Sequence, residues 1–496
     1  MELKVKRLHI SSGGPLISVL NSEDARRLDL RALDRIKLKK GRKEIVTIID
    51  ITHDSYIKKG EIGLFEDVID VFDVKDKEMV TAEHQPSPNS LKYIKKKLDG
   101  EKLTKHEIDE IIKDIVANRL TEIEMSYFAA GAYTRGFTLY EAAYLTEAIV
   151  ASGKQLDIDA YPVLDKHSIG GVPGNRTTPI VVSIIAAAGF TIPKTSTRSI
   201  TSVSGTADTV EVLAPVSHKI EKIKEIIKKT NACMVWGGAL ELASADDKII
   251  KIERPLSLDP EGFLLSSILA KKAAVKATHV LIDIPIGKGT KIEHIKKAKK
   301  LERKFEQLGK LLGMNTRVII TNGEQPIGNG IGPALEARDV LMVLLNKGPK
   351  DLRDKSLYMA GILLKMAGVK DGKKRAVEIL ESGQAYKKLQ EIIKAQGGNP
   401  NIKPEEIKIG KFKYIYRTKN QGRVEYIDNK LLTRVAKLAG APEEKGTGIY
   451  LNVHLKDKVK KNDILFTLYS ENQSKLKYAV KEITDKIIIV NSKIIG

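Results

Sequence analysis

The chain has 496 residues, of which 42% are hydrophobic and 5% aromatic, and its formal net charge is +21. This length exceeds what one hydrophobic core supports and predicts about three domains. The single cysteine, Cys233, excludes an internal disulfide framework, and no apolar run reaches the ~18–20 residues that a membrane-spanning helix needs. The N-terminal residues lack the apolar segment of a signal peptide. We therefore expect a soluble cytoplasmic protein.

The positive charge has two interpretations, a nucleic-acid surface or a lysine-rich solvated surface. The lysines concentrate in helical segments such as 219–229 and 292–307, where acidic residues are interleaved. No basic tract contains the interleaved aromatic residues on which bases stack. We therefore interpret the charge as solvated helix faces, of the kind common in heat-adapted proteins, and expect neither a nucleic-acid nor a membrane partner.

Residues 1–84 and the segment after them differ in pattern. Short, partly alternating runs (LKVKRLHI, PLISVLN, EIVTIIDI) and a short helix at Ser22–Leu30 predict a small β-barrel-like accessory domain over 1–84. The prolines of His84–Ser90 mark a linker. Apolar residues then recur at helical spacing, which predicts an all-α domain formed by 85–160 together with 237–276.

From Pro162 the pattern alternates between strands and helices. Candidate strands (VLDK, FTIPK, ACMVWG, HVLIDIP, RVIITNGEQ) predict an α/β domain with a mixed sheet, formed by 161–236 with 277–409. The Gly-rich segment Gly328–Val340 is interpreted as a tight packing turn. Residues 410–496 predict a β-rich C-terminal subdomain. The fold class is thus α/β multidomain.

The stretch Asp165–Glu211 is the most informative part of the chain. Two loops rich in Gly, Ser and Thr flank one apolar helix, and such loops let a phosphate approach backbone N–H groups closely. In an extended backbone Lys166 and Ser168 point the same way, while His167 points elsewhere. Thr177 and Thr178 lie where the next helix begins, placed to cap it or to hold an anion. We expect a ligand with more than one anionic group.

The second loop supports two interpretations equally on composition. Its hydroxyls and Arg198 suit an anion, but Asp208 and Glu211 in the following turn also suit a capped helix. The nine histidines show no pair at metal-ligand spacing, so we expect no metal site.

The motifs DKHSIGGV and TSTRSITSVSGTADTVE resemble the signature region of the thymidine/pyrimidine-nucleoside phosphorylase family. The segment SSILAKK (Ser266–Lys272) falls where that family has its base-contacting helix. The N-terminal domain, VPGNRTT and LDPEG (Leu258–Gly262) are similar to the archaeal AMP phosphorylase branch of the family. The resemblance implies an all-α and an α/β domain separated by a cleft, and a homodimer formed through the α domain.

The resemblance also implies roles for individual residues. It makes the following residues ligands of an attacking phosphate: Lys166, Ser168, Thr178, Ser196 and Thr206. It makes Ser267 and Lys271 base-side contacts and His167 the cleft histidine. The nucleotide-binding set that it implies is Gly171, Thr197, Arg198, Ser199, Ile200, Thr201, Ser202, Thr206, Ser267, Lys271 and Lys291, with Arg198 and Lys291 facing a substrate 5′-phosphate.

The activity implied is that of a pentosyltransferase: AMP and phosphate give adenine and ribose 1,5-bisphosphate, with CMP and UMP as further substrates. Asp259 is our candidate proton donor, with a helix N-cap as its competing role, and His167 is the alternative donor. We expect no cofactor besides the co-substrate phosphate. Two other activities stay open, those of a pyrimidine-nucleoside phosphorylase and an anthranilate-type phosphoribosyltransferase. Ile252 stands where the pyrimidine enzymes have a base-contacting arginine, which weighs against the first.

Overall fold

A computed structural model describes the whole chain except residues 200–201, 241–243, 254, 256–257, 259 and 492–496. The chain divides into two compact units, Met1–Gly153 with Ala243–Ala270, and Lys154–Leu242 with Lys271–Gly496. No helix in the described part of the chain is long and apolar enough to cross a membrane. The four-domain division expected from the sequence stays a prediction.

The strands are, in chain order, β1 (Glu2–Arg7), β2 (Ile17–Asn21), β3 (Arg35–Lys40), β4 (Lys43–Thr52), β5 (Glu61–Leu64), β6 (Met79–His84), β7 (Leu164–Ser168), β8 (Ile192–Ser196), β9 (Ala232–Trp236), β10 (His279–Ile286), β11 (Asn315–Asn322), β12 (Gly330–Ile331), β13 (Phe412–Arg417), β14 (Gly422–Ile427), β15 (Gly448–Leu451), β16 (Lys458–Val459), β17 (Ile464–Ser470) and β18 (Ile488–Asn491).

The helices are, in chain order, α1 (Ser22–Arg27), α2 (Glu66–Phe72), α3 (Ser90–Leu98), α4 (Lys105–Val116), α5 (Glu122–Arg135), α6 (Leu139–Ser152), α7 (Thr177–Ala187), α8 (Thr206–Glu211), α9 (Ile220–Thr230), α10 (Ser244–Glu253), α11 (Glu261–Ala273), α12 (Ile295–Leu311), α13 (Pro333–Leu344), α14 (Lys350–Met366), α15 (Gly372–Glu381), α16 (Gln384–Ala395), α17 (Asn429–Leu438) and α18 (Gln473–Val480).

The first unit begins with a closed barrel of β1 to β6, in the order β1-β5-β2-β4-β3-β6. Alternate residues of β1, such as Leu3 and Val5, are buried in the barrel core because successive side chains of a strand face opposite sides. The short helix α1 forms as predicted, and Asn21 caps it by accepting from the backbone N–H of Glu23.

The helices α3 to α6, α10 and α11 surround one apolar core. The sequence T-x-x-E starts three of them, because each threonine accepts from the backbone of the glutamate and the glutamate accepts in return. These capping boxes are Thr104/Glu107, Thr121/Glu124 and Thr138/Glu141. The predicted all-helical character of this segment is confirmed.

The second unit contains a parallel sheet. Strands β11, β10 and β7 pair in that order, β8 pairs with β9, and an isolated parallel bridge joins Val163 to Thr191 between the two groups. The prediction of a mixed sheet is wrong for β7 to β11. The chain crosses between these strands by way of helices, which return it to the same edge and make every described pairing parallel. Two antiparallel sheets, β12-β15-β17-β13 and β16-β14-β18, follow in the C-terminal region.

Candidate active site

The site lies where parallel strands of the second unit end. Strand β7 ends at Ser168 and β8 at Ser196, and each is followed by one of the two small-residue loops. Ligands of open α/β sheets bind beyond the carboxyl ends of their strands. This edge therefore holds both loops that the sequence singled out.

Lys166 and Ser168 contact different partners on the same side of β7. The ammonium Nζ of Lys166 donates to Thr177 Oγ1 at 2.7 Å. The hydroxyl of Ser168 donates to Asp283 Oδ2 at 3.0 Å, and Asp283 lies beside it in the register of β7 and β10. For a bound anion to accept a hydrogen bond from Ser168, the hydroxyl proton must rotate away from Asp283.

Lys166 is almost completely buried, with 1% of its surface exposed. Burial lowers the pKa of Lys166 to about 7; nearby Asp283 opposes this shift, while Lys355 and Arg176 reinforce it. Near neutral pH this ammonium is therefore partly deprotonated, and a bound anion would restore its charge.

Asp165 and His167 face the opposite side of β7. Asp165 forms ion pairs with Lys194 (3.2 Å) and Lys272 (2.6 Å). Burial alone would raise the pKa of Asp165, but these two ammonium groups outweigh it and the net shift is downward. Burial first, and then the surrounding lysines, lower the pKa of His167 well below its ordinary value. A neutral imidazole is a poor source of a proton, which weakens His167 as the alternative proton donor.

Arg176 joins three segments of the chain. Its Nε donates to Glu336 Oε2 at 2.6 Å, its Nη1 to Thr206 Oγ1 at 3.0 Å, and its Nη2 to the Ser204 carbonyl at 3.0 Å. A guanidinium only donates, so the Thr206 oxygen accepts and its own proton stays available for a ligand. Arg176 thus presents Thr206 as a donor.

Glu336 lies on α13, directly after the Gly-rich turn Gly328–Gly332. A side chain on Gly330 would meet the Leu335 carbonyl at 2.4 Å, and one on Gly332 would meet the Thr447 carbonyl at 2.5 Å. These glycines are required by close backbone packing, as predicted for this segment. The turn serves the site indirectly, because it positions the carboxylate that holds Arg176.

The second loop is held by its own ion pairs. The Arg198 guanidinium makes two hydrogen bonds to Glu211, of 2.6 and 2.5 Å, and lies 5.0 Å from the Trp236 ring centroid. Lys445 adds a contact of 2.9 Å to Glu211. The Arg198 hydrogen bonds, and then Lys445, lower the pKa of Glu211 to about 2 despite partial burial. In this structure the Arg198 N–H groups, which were expected to bind a substrate phosphate, donate to Glu211 instead.

The first loop packs closely against the segment GKGTK. Gly171 has a φ of +92°, and a Cβ on it would lie 2.6 Å from the backbone nitrogen of Lys291. Only glycine suits both the backbone conformation and this approach. The fold therefore brings Gly171 and Lys291, two residues of the expected nucleotide-binding set, together.

The remaining expected residues are placed as follows. Ser196 donates weakly to the Val235 carbonyl at 3.3 Å, and Thr178 lies in the first turn of α7, which has no side-chain cap. Thr197 is exposed, and Ser199 and Ser202 are half-buried. Ser267 belongs to the first compact unit, and Lys271, one turn later on α11, to the second. Three residues used in the sequence argument lie outside the described residues: Ile200, Thr201 and Asp259.

Sequence reasoning missed four residues of this site, namely Arg176, Asp283, Glu336 and Lys355. Asp283 had a signal, since it is a carboxylate within the apolar strand HVLIDIP. Arg176 stands in the VPGNRTT motif but was not assigned a role. Glu336 and Lys355 lie in helices of mixed composition, where a charged residue is ordinarily solvated, and they had no distinguishing signal.

Three sequence families match successive parts of the chain. Residues 91–153 match the helical bundle domain of the glycosyl transferase family, and residues 160–386 match its a/b domain. Residues 423–490 match the pyrimidine nucleoside phosphorylase C-terminal domain. The order and bounds of these matches follow the helical, α/β and β-rich segments of the fold.

Whole-chain relatives decide the family. The AMP phosphorylase of Thermococcus kodakarensis is 49% identical, over 97% of this chain and 96% of that protein. That of Methanocaldococcus jannaschii is 46% identical, over 97% of this chain and 95% of that protein. The chain belongs to the AMP phosphorylase family. Membership of the AMP phosphorylase family confirms the resemblance that the two loop motifs indicated.

Solved structures share the fold at much lower identity. Anthranilate phosphoribosyltransferase from Thermus thermophilus aligns with a TM-score of 0.50 and 20% identity, over 61% of this chain and 98% of that chain. The Saccharomyces cerevisiae enzyme in complex with PRPP and Mg aligns with a TM-score of 0.50 and 15% identity, over 62% and 98% of the two chains. At such identities the likeness is one of fold alone.

The buried Lys166 ammonium predicts a pH dependence of anion binding. We expect the affinity for sulfate, which does not itself titrate near neutral pH, to fall as the pH rises above the pKa of about 7. Above this pKa the neutral amine does not attract the anion, so binding requires uptake of a proton. Below it Lys166 is already protonated, and the affinity should not change with pH. Calorimetric titration with sulfate between about pH 6 and pH 9 measures this. The control is Lys166→Arg, whose guanidinium stays charged and should flatten the profile. Equal profiles in the two proteins would contradict the assignment.

Proposed function

We propose that this protein catalyses the phosphorolysis of AMP, giving adenine and ribose 1,5-bisphosphate. The observation that carries the proposal is the pair of anion-suited loops at the carboxyl edge of the parallel sheet, in a chain of the AMP phosphorylase family. Ile252 cannot supply the guanidinium that would restrict the site to a pyrimidine carbonyl, which is compatible with a purine base. CMP and UMP are further proposed substrates.

The reaction needs no protein nucleophile, since a phosphate oxygen attacks C1′ as the bond to the base nitrogen breaks. The protein has to hold the phosphate in line and stabilise the sugar as it gains positive charge. Lys166 supplies the buried cation, and Thr206 supplies a hydroxyl whose proton is available because Arg176 donates to its oxygen. Ser168, Thr178 and Ser196 complete the proposed phosphate ligands.

The electron pair of the broken bond leaves with adenine. Adenine is a poor leaving group as an anion, but protonation of its N7 lets it leave as a neutral molecule. We assign this proton to Asp259, in the motif LDPEG between α10 and α11. The neutral state that its surroundings impose on His167 supports the choice. The Thr197–Ser202 segment and Lys291 are the proposed contacts of the substrate 5′-phosphate, which requires Arg198 to exchange Glu211 for phosphate oxygens.

Two alternative activities predict different products. A pyrimidine-nucleoside phosphorylase cleaves nucleosides, whereas an anthranilate-type transferase requires a diphosphate donor and Mg²⁺. The two solved structures that share the fold are anthranilate phosphoribosyltransferases, but the whole-chain relatives are AMP phosphorylases at far higher identity. We therefore prefer the AMP reaction.

The activity is tested by measuring free base released from AMP, adenosine and thymidine, with and without phosphate, in the presence of EDTA. We expect adenine from AMP only, and only when phosphate is present. The EDTA arm also tests the proposal that phosphate is the only co-reactant. Base release from the nucleosides but not from AMP would refute the proposed substrate. Loss of activity with EDTA would refute the proposal that phosphate is the only co-reactant.

Replacement of Asp259 by Asn tests the proton donor. We expect AMP binding to persist and kcat to fall by about 10²-fold or more, because an amide can hydrogen-bond but does not transfer the proton. The matched variant His167→Gln should lose much less turnover. Turnover retained by Asp259→Asn and lost by His167→Gln would reverse the two assignments.

A homodimer through the helical segment is also part of the proposal. Apolar and aromatic side chains are exposed on α5 and α6, including Ile123 (64%), Tyr127 (55%) and Tyr140 (62%). Ile123 and Tyr127 are four residues apart and share one face of α5. Exposed apolar and aromatic side chains that share a helix face are typical of a protein interface.

The substitution Tyr127→Glu should convert the dimer to a monomer, because it buries a charge in the proposed interface. Light scattering during size-exclusion chromatography measures the mass. Tyr478→Glu, at a tyrosine of similar exposure (57%) on α18, is the control and should leave the mass unchanged. An unchanged mass for both variants would place the interface elsewhere.

A further inference from the structure

Lys355 is a buried cation that the mechanism above does not use. Its side chain, on α14, is 10% exposed, and its Nζ lies 2.9 Å from Asp283 Oδ2. This contact is an ion pair with one carboxylate oxygen, and the ammonium has no other hydrogen-bond partner within the described part of the chain. Buried polar groups are ordinarily hydrogen-bonded because a lost hydrogen bond is costly. An ammonium has three N–H donors and one carboxylate oxygen satisfies only one of them, so the remaining donors of Lys355 point to a group that binds there.

The position of Lys355 points to an anion shared with Ser168. Ser168 Oγ lies 3.0 Å from the same Asp283 oxygen, so Ser168 Oγ and Lys355 Nζ are at most about 6 Å apart. Two charge-assisted hydrogen bonds of about 2.7–2.9 Å each to one phosphate can bridge this distance. Lys355 is also close enough to Lys166 to affect its ionisation.

We propose that Lys355 is a ligand of the attacking phosphate. This inference rests on the proposed function, and it adds a cation from α14 to a site otherwise built from β7, α7, β8 and α8. When phosphate binds, the ammonium donates to a phosphate oxygen and keeps its ionic contact with Asp283. The carboxylate then holds the ammonium in place, and Thr321, which donates to Asp283 Oδ1 at 2.6 Å, orients the carboxylate.

A purely structural role makes a different prediction. If Lys355 only neutralised Asp283, removal of both charges would restore the site, because no buried charge would be left unpaired. If Lys355 binds phosphate, the doubly substituted protein stays deficient. A double-substitution cycle therefore separates the two roles.

The experiment measures the affinity for inorganic phosphate by calorimetry, together with KM for phosphate and for AMP. We expect Lys355→Met to weaken phosphate binding by about tenfold or more, since a hydrogen bond to a charged group is lost, and to leave KM for AMP within about twofold. Asp283→Asn should retain or increase phosphate affinity, because it removes a negative charge beside the anion. The double variant should bind phosphate as weakly as Lys355→Met. Wild-type affinity in the double variant would overturn the proposal.

The control is Lys365→Met, an exposed lysine on the same helix, which should bind phosphate like the wild type. Thermal unfolding verifies that each variant folds. If Lys355→Met does not fold, Lys355→Gln and Lys355→Arg make the same comparison. The arginine variant, which keeps the charge, should bind phosphate more tightly than the glutamine variant.

Failure of the two proposals can be told apart. If the wild-type protein binds phosphate but releases no base from AMP, the proposed function fails and the calorimetric cycle still tests Lys355. If AMP is cleaved but Lys355→Met binds phosphate normally, only the Lys355 assignment fails.

Discussion

The site depends on an excess of buried cations at one edge of a parallel sheet. Around β7 the described cations outnumber the carboxylates that contact them: Lys166, Arg176, Lys194, Lys272 and Lys355 against Asp165, Asp283 and Glu336. Burial of an uncompensated charge costs several kcal/mol by typical estimates. The fold reduces this cost where burial favours loss of a proton, as for Lys166, whose pKa burial lowers to about 7. The proposed affinity for phosphate rests on this imbalance.

The two faces of β7 differ in the groups that surround them. On one face the cations lie beside hydroxyl groups, Thr177 beside Lys166 and Thr206 beside Arg176, which suits an anion that accepts several hydrogen bonds. On the other face Asp165 is enclosed by lysines, which hold it ionised and keep His167 neutral. One face is therefore the proposed anion site, while ion pairs on the other face hold Asp165 ionised and His167 neutral.

Much of the chain could be predicted from local patterns. The helical character of residues 85–160 was predicted from apolar spacing, and the five strands β7 to β11 were predicted from short apolar runs. Alternation along β7 correctly placed Lys166 and Ser168 on one side and His167 on the other. The parallel arrangement of the sheet was missed, because strand direction depends on how each helix returns the chain, and no local pattern records it.

By itself the sequence determined the two anion-suited loops, the family to which they belong and the residue types available for phosphate. Only the tertiary structure decided which residues complete the site. Ser168 and Asp283 are 115 residues apart in sequence, and Arg176 and Glu336 are 160 apart, yet each pair shares a hydrogen bond. It also decided protonation, because burial and neighbouring charges set the pKa of Lys166 and His167, and both arise only when distant segments pack together.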